Sequence, residues 1–186
     1  MKNIDQYTVT LDDIGKLMTA AQNGYRAHLL YKTISLFYKE NPIRYHEHKA
    51  WYFSIAIAAA ETSLNNLAKL YVADNQAITL CDICKKYSEC VATDAFAAKC
   101  NEWTDAIKNL NTIRDKFISH IDTDNHKFTD LGIDVDTVGV MFKECHSYLN
   151  DIRYVIFQAS KAPLLCHTAE LMVDMEDVLG IDMRNK

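Results

Sequence analysis

The sequence predicts an all-α protein, an up-and-down helical bundle of four or more core helices with short additional helices. Three observations lead there. Apolar residues recur at spacings of three and four nearly throughout the chain. The 186 residues include only 5 Gly and 2 Pro, too few for the many turns of a sandwich or barrel. Polar residues of the kind that cap helices precede several of the apolar runs.

Thr10-Leu-Asp-Asp13 has the form of a capping box, with the acid meeting free amides and the positive end of the helix dipole. Leu11, Ile14, Leu17, Met18 and Ala21 then mark one helical face, and Leu29, Leu30, Thr33, Ile34, Phe37 and Tyr38 continue the spacing. Asn23-Gly24 reads as an irregularity. Asn41-Pro42 stops this helix, because proline disfavours helical geometry at the residue before it. Pro42 suits the first turn of a second helix, where its missing amide costs little, and that helix is expected to reach about Val72. It carries Trp51, Phe53, Ile55, Ile57, Leu64, Leu67 and Leu70. Between Ala50 and Ala60 it is apolar on most sides, so it is expected to be the central, most buried helix.

Asp74-Asn75-Gln76 reads as a loop, and Thr79-Leu-Cys-Asp82 caps a shorter helix through about Cys90. Thr93 or Asp94 is expected to cap a fourth helix running to about His120, followed by a polar loop from Asp122 to Lys127. A fifth helix starts near Asp134 or Asp136 and runs to about Lys161. Its expected inner face is Met141, Phe142, Tyr148, Leu149, Ile152, Val155 and Ile156. Pro163 interrupts, and a last short helix within 164–180 carries Leu171, Val173, Met175 and Val178. There is no internal repeat and no low-complexity segment. One domain spans 1–186, with its core at about 10–161.

A chain of this length buries roughly 70% of its unfolded surface, so neither a disulfide nor a metal is needed to hold it together. Its net charge of −5 disfavours attachment to nucleic acid by bulk electrostatics, but leaves room for a small local RNA site. The start, Met1 to Thr10, is polar and acid-bearing, unlike a secretory signal, and Ala50 to Ala60 is far short of the ~20 residues that span a membrane. Six cysteines in such a chain read as reduced thiols of a cytoplasmic protein.

The most informative segment is Trp103 to Asp122. Alternate steps of four and three residues give Trp103, Ile107, Leu110, Arg114, Phe117 and Ile121, all apolar except Arg114. A second stripe, Ala106, Leu110, Ile113, Phe117 and His120, is apolar except for its last member. At about 100° per residue, Arg114 and His120 lie roughly 60° to either side of Phe117, on the edges of a face expected to be buried. A guanidinium there is costly unless an acid or anion meets it. A structural reading pairs Arg114 with Asp115, Asp122 or an acid from another helix, and sets His120 against the C-terminal dipole.

The run Leu110-Asn-Thr-Ile-Arg114-Asp115-Lys-Phe-Ile-Ser-His120-Ile-Asp122 resembles the signature of the HEPN superfamily, an Arg, then a polar residue, and a His after four to six intervening positions. Its wording, together with Ser63 to Tyr71 and Ala77 to Leu80, looks most like the HEPN-like (AbiU-type) proteins of abortive-infection phage defence. The resemblance covers roughly 45–160 in organisation, and its specific part is one short motif. It implies a metal-independent endoribonuclease without a cofactor, in which paired bundles place the Arg and His of both subunits in a cleft. By that resemblance His120 assists proton transfer at the ribose 2′-hydroxyl, Arg114 holds the scissile phosphate, and Asp115 orients one of them.

The residue types suit these roles, since His exchanges protons near neutral pH and a guanidinium offers a planar fork to phosphate. Six helical residues turn the two side chains about 120° apart, so two copies across a two-fold axis complete the site better than one straight helix. The resemblance thus implies RNA as substrate, a homodimer, and an antitoxin or nucleotidyltransferase as partner. Several HEPN toxins carry a modifiable Tyr two residues after the His, where this chain has Asp122. Other HEPN proteins are noncatalytic scaffolds or nucleotide-binding modules, and that is the alternative function.

Other constellations are weaker. Cys81 and Cys84, with Cys90 and Cys100, lack the paired-knuckle spacing of a zinc site. His46 and His48 point about 160° apart on a helix. Asp122, Asp124, Asp134 and Asp136 lack the glycine of a calcium loop and read as loop and cap residues. The aromatics Tyr25, Tyr31, Phe37, Tyr38, Tyr45, Trp51, Tyr52 and Phe53 read as core or interface rather than base-stacking platforms. No phosphate-binding glycine loop or nucleophile elbow is present.

Overall fold

The computed structural model describes residues 8–74, 77–117 and 133–164, excluding the side chains at 44, 111 and 113–117. Among the described residues the elements are α1 (Leu11–Glu40), α2 (Pro42–Glu47), α3 (Lys49–Tyr71), α4 (Leu80–Lys86), α5 (Val91–Glu102), α6 (Thr104–Phe117) and α7 (Val135–Phe157), with no strand. The protein is an all-α helical bundle.

Local chemistry sets several boundaries. The Thr10 hydroxyl accepts from the Asp13 amide at 3.2 Å, and the Asp13 carboxylate accepts from the Thr10 amide at 2.9 Å, closing the capping box of α1. A second box, Thr79 with Asp82, opens α4. The Asp134 carboxylate accepts from the Thr137 amide at 2.9 Å and caps α7. Pro42 occupies the first turn of α2.

The 30-residue α1 lies between α3 and α7, antiparallel to both. Toward α7, Lys32 pairs with Asp136 at 2.7 Å where α7 begins, and Gln22 donates to the Pro163 carbonyl at 3.3 Å beyond its end. Toward α3, Phe37 meets Tyr52 at one end, with ring centroids 5.0 Å apart, and Gly24 faces Asn66 midway. α6 packs on α3, and α5 on α7. The main core joins Ile14, Leu17, Leu67, Leu70, Ile83, Leu110, Phe142, Leu149 and Ile152. A separate small cluster of Ile34, Phe37, Tyr45 and Tyr52 fills the far end of the α1–α3 hairpin.

The structure corrects several boundaries. α1 runs unbroken through Asn23-Gly24, and the glycine serves packing instead, because a β-carbon there would collide with the Phe142 ring. The expected second helix divides at His48, whose φ of −124° and ψ of 29° end α2 and begin α3. α4 stops at Lys86, short of Cys90. Neither Thr93 nor Asp94 caps the next helix. It starts at Val91 after Cys90, and Thr93 lies buried one turn in, its hydroxyl 3.1 Å from that of Tyr148. The same stretch breaks at Trp103 into α5 and α6. α7 ends at Phe157 rather than Lys161, because Gln158 turns to a positive φ of 52°.

Two expectations about burial also change. Val155 and Ile156 are exposed, while Met141, Phe142, Tyr148, Leu149 and Ile152 form the inner face of α7. The Ala50–Ala60 stretch is not the most buried. Trp51 and Phe53 are exposed, and the buried residues of α3 fall mainly between Ala59 and Tyr71. The physical reason is length: α7 begins level with Lys32, so the last two turns of α1 and the start of α3 project past it. The short helix expected within 164–180 falls outside the described residues beyond Leu164. No helix among the described residues is long and apolar enough to cross a membrane.

Candidate functional site

The motif-bearing segment begins at Trp103, a buried residue whose ring meets Tyr71 edge-on at 6.3 Å, at the C-terminal end of α3. From there α6 returns along α3. Leu110 is fully buried, and Ala106 and Ile107 pack on the same core, as the apolar stripes require. Its 14 residues rise about 21 Å toward the opposite end of the bundle. Arg114 and Asp115 therefore occupy the last turn of α6, on a backbone that is helical through Phe117. Their side chains, and the whole of His120 and Asp122, lie outside the described residues.

Two histidines that sequence reasoning passed over are buried between helices. His28, on the stripe that includes Ala21 and Tyr25, stacks on Tyr25 with centroids 6.2 Å apart. Its Nε2 stands where a β-carbon on Gly139 would be 2.8 Å away, so glycine allows α7 to close on the ring. Burial, reinforced by Lys32 and Lys143, lowers its pKa to about 4 against the opposing effect of Asp136. His146 is held through Nδ1, 3.2 Å from the Asn150 amide nitrogen, and burial lowers its pKa too. The signal for both was in the pattern, since each falls on an apolar stripe at helical spacing.

Three of the thiols are disfavoured as thiolates by burial. Burial pushes the Cys84 thiol up, the Cys100 thiol up to about 12, and the fully buried Cys145 thiol well above its ordinary value. Among the described residues no group of three or more His, Cys, Asp or Glu side chains is arranged to hold a metal ion. His46 lies on α2 and His48 at the α2–α3 break, both exposed.

The architecture is that of a helical bundle whose motif helix packs on α3 and ends on the same side of the molecule as the start of α7. No protein-family model matches the chain, and comparison with curated proteins and with solved structures finds no match.

Proposed function

We propose that the protein is a metal-independent endoribonuclease of the HEPN type, a cytoplasmic toxin or phage-defence effector acting as a homodimer. One observation carries this reading: the sequence Arg114-Asp115-x4-His120 begins on the last turn of α6, a helix anchored to the core through Leu110. Arg114 binds the scissile phosphate by its planar fork, and Asp115 orients Arg114 or His120. His120 takes the proton of the ribose 2′-hydroxyl, whose oxygen attacks phosphorus while the bond to the 5′-oxygen breaks and that oxygen takes up a proton from water. The products are a 2′,3′-cyclic phosphate and a 5′-hydroxyl end.

The test is cleavage of mixed cellular RNA in excess EDTA by the parent chain and by His120→Ala. Cleavage by the parent alone, leaving cyclic phosphate ends, supports the reading. Equal cleavage by both removes His120 from the site. Saturable nucleotide or RNA binding with no cutting by either favours the noncatalytic module instead.

A further inference from the structure

Where the α1–α3 hairpin projects past α7, a set of aromatic rings forms one connected network. Tyr38 meets Tyr45 at 4.7 Å and His46 at 6.2 Å between centroids. Tyr45 stacks on Tyr52 at 5.5 Å, and Tyr52 is edged by Trp51 at 5.0 Å and by His48 at 6.4 Å. The inner members, Tyr45 and Tyr52, are buried beside Phe37. The outer members are exposed: Tyr38 at 47%, Trp51 at 56%, and both histidines. The buried tyrosines thus hold solvent-facing rings in place, with little rotamer freedom left to lose on binding.

The charge around these rings differs in sign from that of the chain. Residues 33–60 carry three cationic residues, Lys39, Arg44 and Lys49, against two acids, Glu40 and Glu47, in a protein of net charge −5. Lys39 and Lys49 are exposed, the first adjacent in sequence to Tyr38 and the second two positions before Trp51 on α3. No acid falls between His48 and Ala60. Flat rings interleaved with cations match the chemistry of single-stranded nucleic acid, whose bases stack and whose phosphates need counter-charge. A protein interface core is, by contrast, depleted in charge.

We infer that this tip is a docking platform for single-stranded RNA, with Trp51 and Tyr38 stacking bases and Lys39 and Lys49 meeting phosphates. It rests on the ribonuclease reading and gives it a substrate class. α6 starts beside Tyr71 and rises about 21 Å back along α3, so Arg114 ends on the side of the bundle from which the tip projects.

The experiment uses the full chain and a 2′-O-methyl RNA strand of about 12 nucleotides, which lacks the nucleophile and stays intact. Anisotropy of a fluorescein label on the strand reads the affinity of parent and variants alike, and quenching of tryptophan emission in the parent reports Trp51, which is exposed while Trp103 is buried. Trp51→Ala is expected to weaken binding between about 5-fold and 10²-fold, with Trp51→Tyr retaining most of the affinity and all variants melting alike. Cleavage of ordinary RNA is measured alongside. Unchanged affinity in Trp51→Ala overturns the platform while leaving the ribonuclease reading in place. Loss of self-association in Trp51→Ala at constant RNA affinity also overturns it, and assigns the tip to a second copy of the chain. Quenching by RNA without cleavage by the parent keeps the platform and overturns the nuclease, and neither binding nor cleavage overturns both.

Discussion

Asn150 grips Ala162 by both of its backbone polar groups: the side-chain oxygen accepts from the Ala162 amide at 2.8 Å, and the side-chain nitrogen donates to the Ala162 carbonyl at 2.7 Å. That pairing fixes the orientation of the side-chain amide, whose remaining N–H faces Nδ1 of His146 at 3.2 Å. Nδ1 is then the acceptor and Nε2 carries the proton of a neutral ring. Nε2 is buried without a partner among the described residues. This arrangement ties the segment after α7 back onto the helix, and Gln22 adds a bond from α1 at Pro163.

Asn150→Ala is therefore expected to cost about 2–3 kcal/mol, from three lost bonds and two Ala162 groups left seeking partners. A urea titration measures the loss. Limited proteolysis distinguishes its origin, because cleavage within 158–164 rises in the variant before global unfolding does.

Gly24 and Gly15 sit on one helix and predict opposite outcomes. A β-carbon at 24 collides with Phe142 and approaches Asn66 to 2.9 Å, whereas one at 15 meets nothing within 4 Å. Gly24→Ala is expected to destabilise by about 1–3 kcal/mol through overpacking. Gly15→Ala is expected to stabilise by about 0.5–1 kcal/mol, since alanine loses less backbone entropy in a helix interior. Thermal melts of the two variants, shifted in opposite directions from the parent, check both.

His28 predicts an acid-sensitive contact between α1 and α7. Its folded pKa of about 4 lies below the ordinary 6.5, so the unfolded chain binds the proton more readily. Stability from this group is complete above about pH 6.5, declines as pH falls toward 4, and changes no further below that. The shift corresponds to about 3 kcal/mol across the window. His146, lowered for the same reason, acts in the same direction. Urea midpoints between pH 7.5 and 4 should fall less steeply in His28→Gln than in the parent; parallel curves would assign the acid sensitivity elsewhere.

Within the ribonuclease reading, Arg114→Lys keeps the charge but removes the planar fork. Its cleavage rate is expected to fall about 10²-fold while helicity and melting temperature stay with the parent. Single-turnover cleavage in EDTA measures it, and a rate equal to the parent's would leave Arg114 a structural residue.

Much of the helical framework was legible from the order of residues. The boxes at Thr10 and Thr79, the stop at Asn41-Pro42 and the start at Asp134 are local signals, each satisfied within one turn of chain. The breaks at His48 and Trp103 were not legible, since neither Gly nor Pro marks them; Trp103 turns the chain where its ring packs on Tyr71. Thr93 looked like a cap because its hydroxyl was free to be one, but Tyr148, distant in sequence, engages it. Of the candidate site, the helix that bears Arg114 and Asp115 was readable, and so was the part of its stripe at Trp103, Ala106, Ile107 and Leu110, because periodicity records which face a helix buries.

By itself, then, the sequence determined the helical class, the caps at Thr10, Thr79 and Asp134, and the helix that carries Arg114 and Asp115, all matters of contacts within a few residues. Only the tertiary structure decided which apolar surface is covered. Gly24 and Gly139 became points of close helix approach because Phe142 and His28 meet them from the facing helix. Trp51 became exposed although its neighbours are apolar, because α7 begins level with Lys32 and covers no more of the hairpin. Burial depends on what another part of the chain brings alongside, and helical periodicity carries the direction of a face but not the length of its partner.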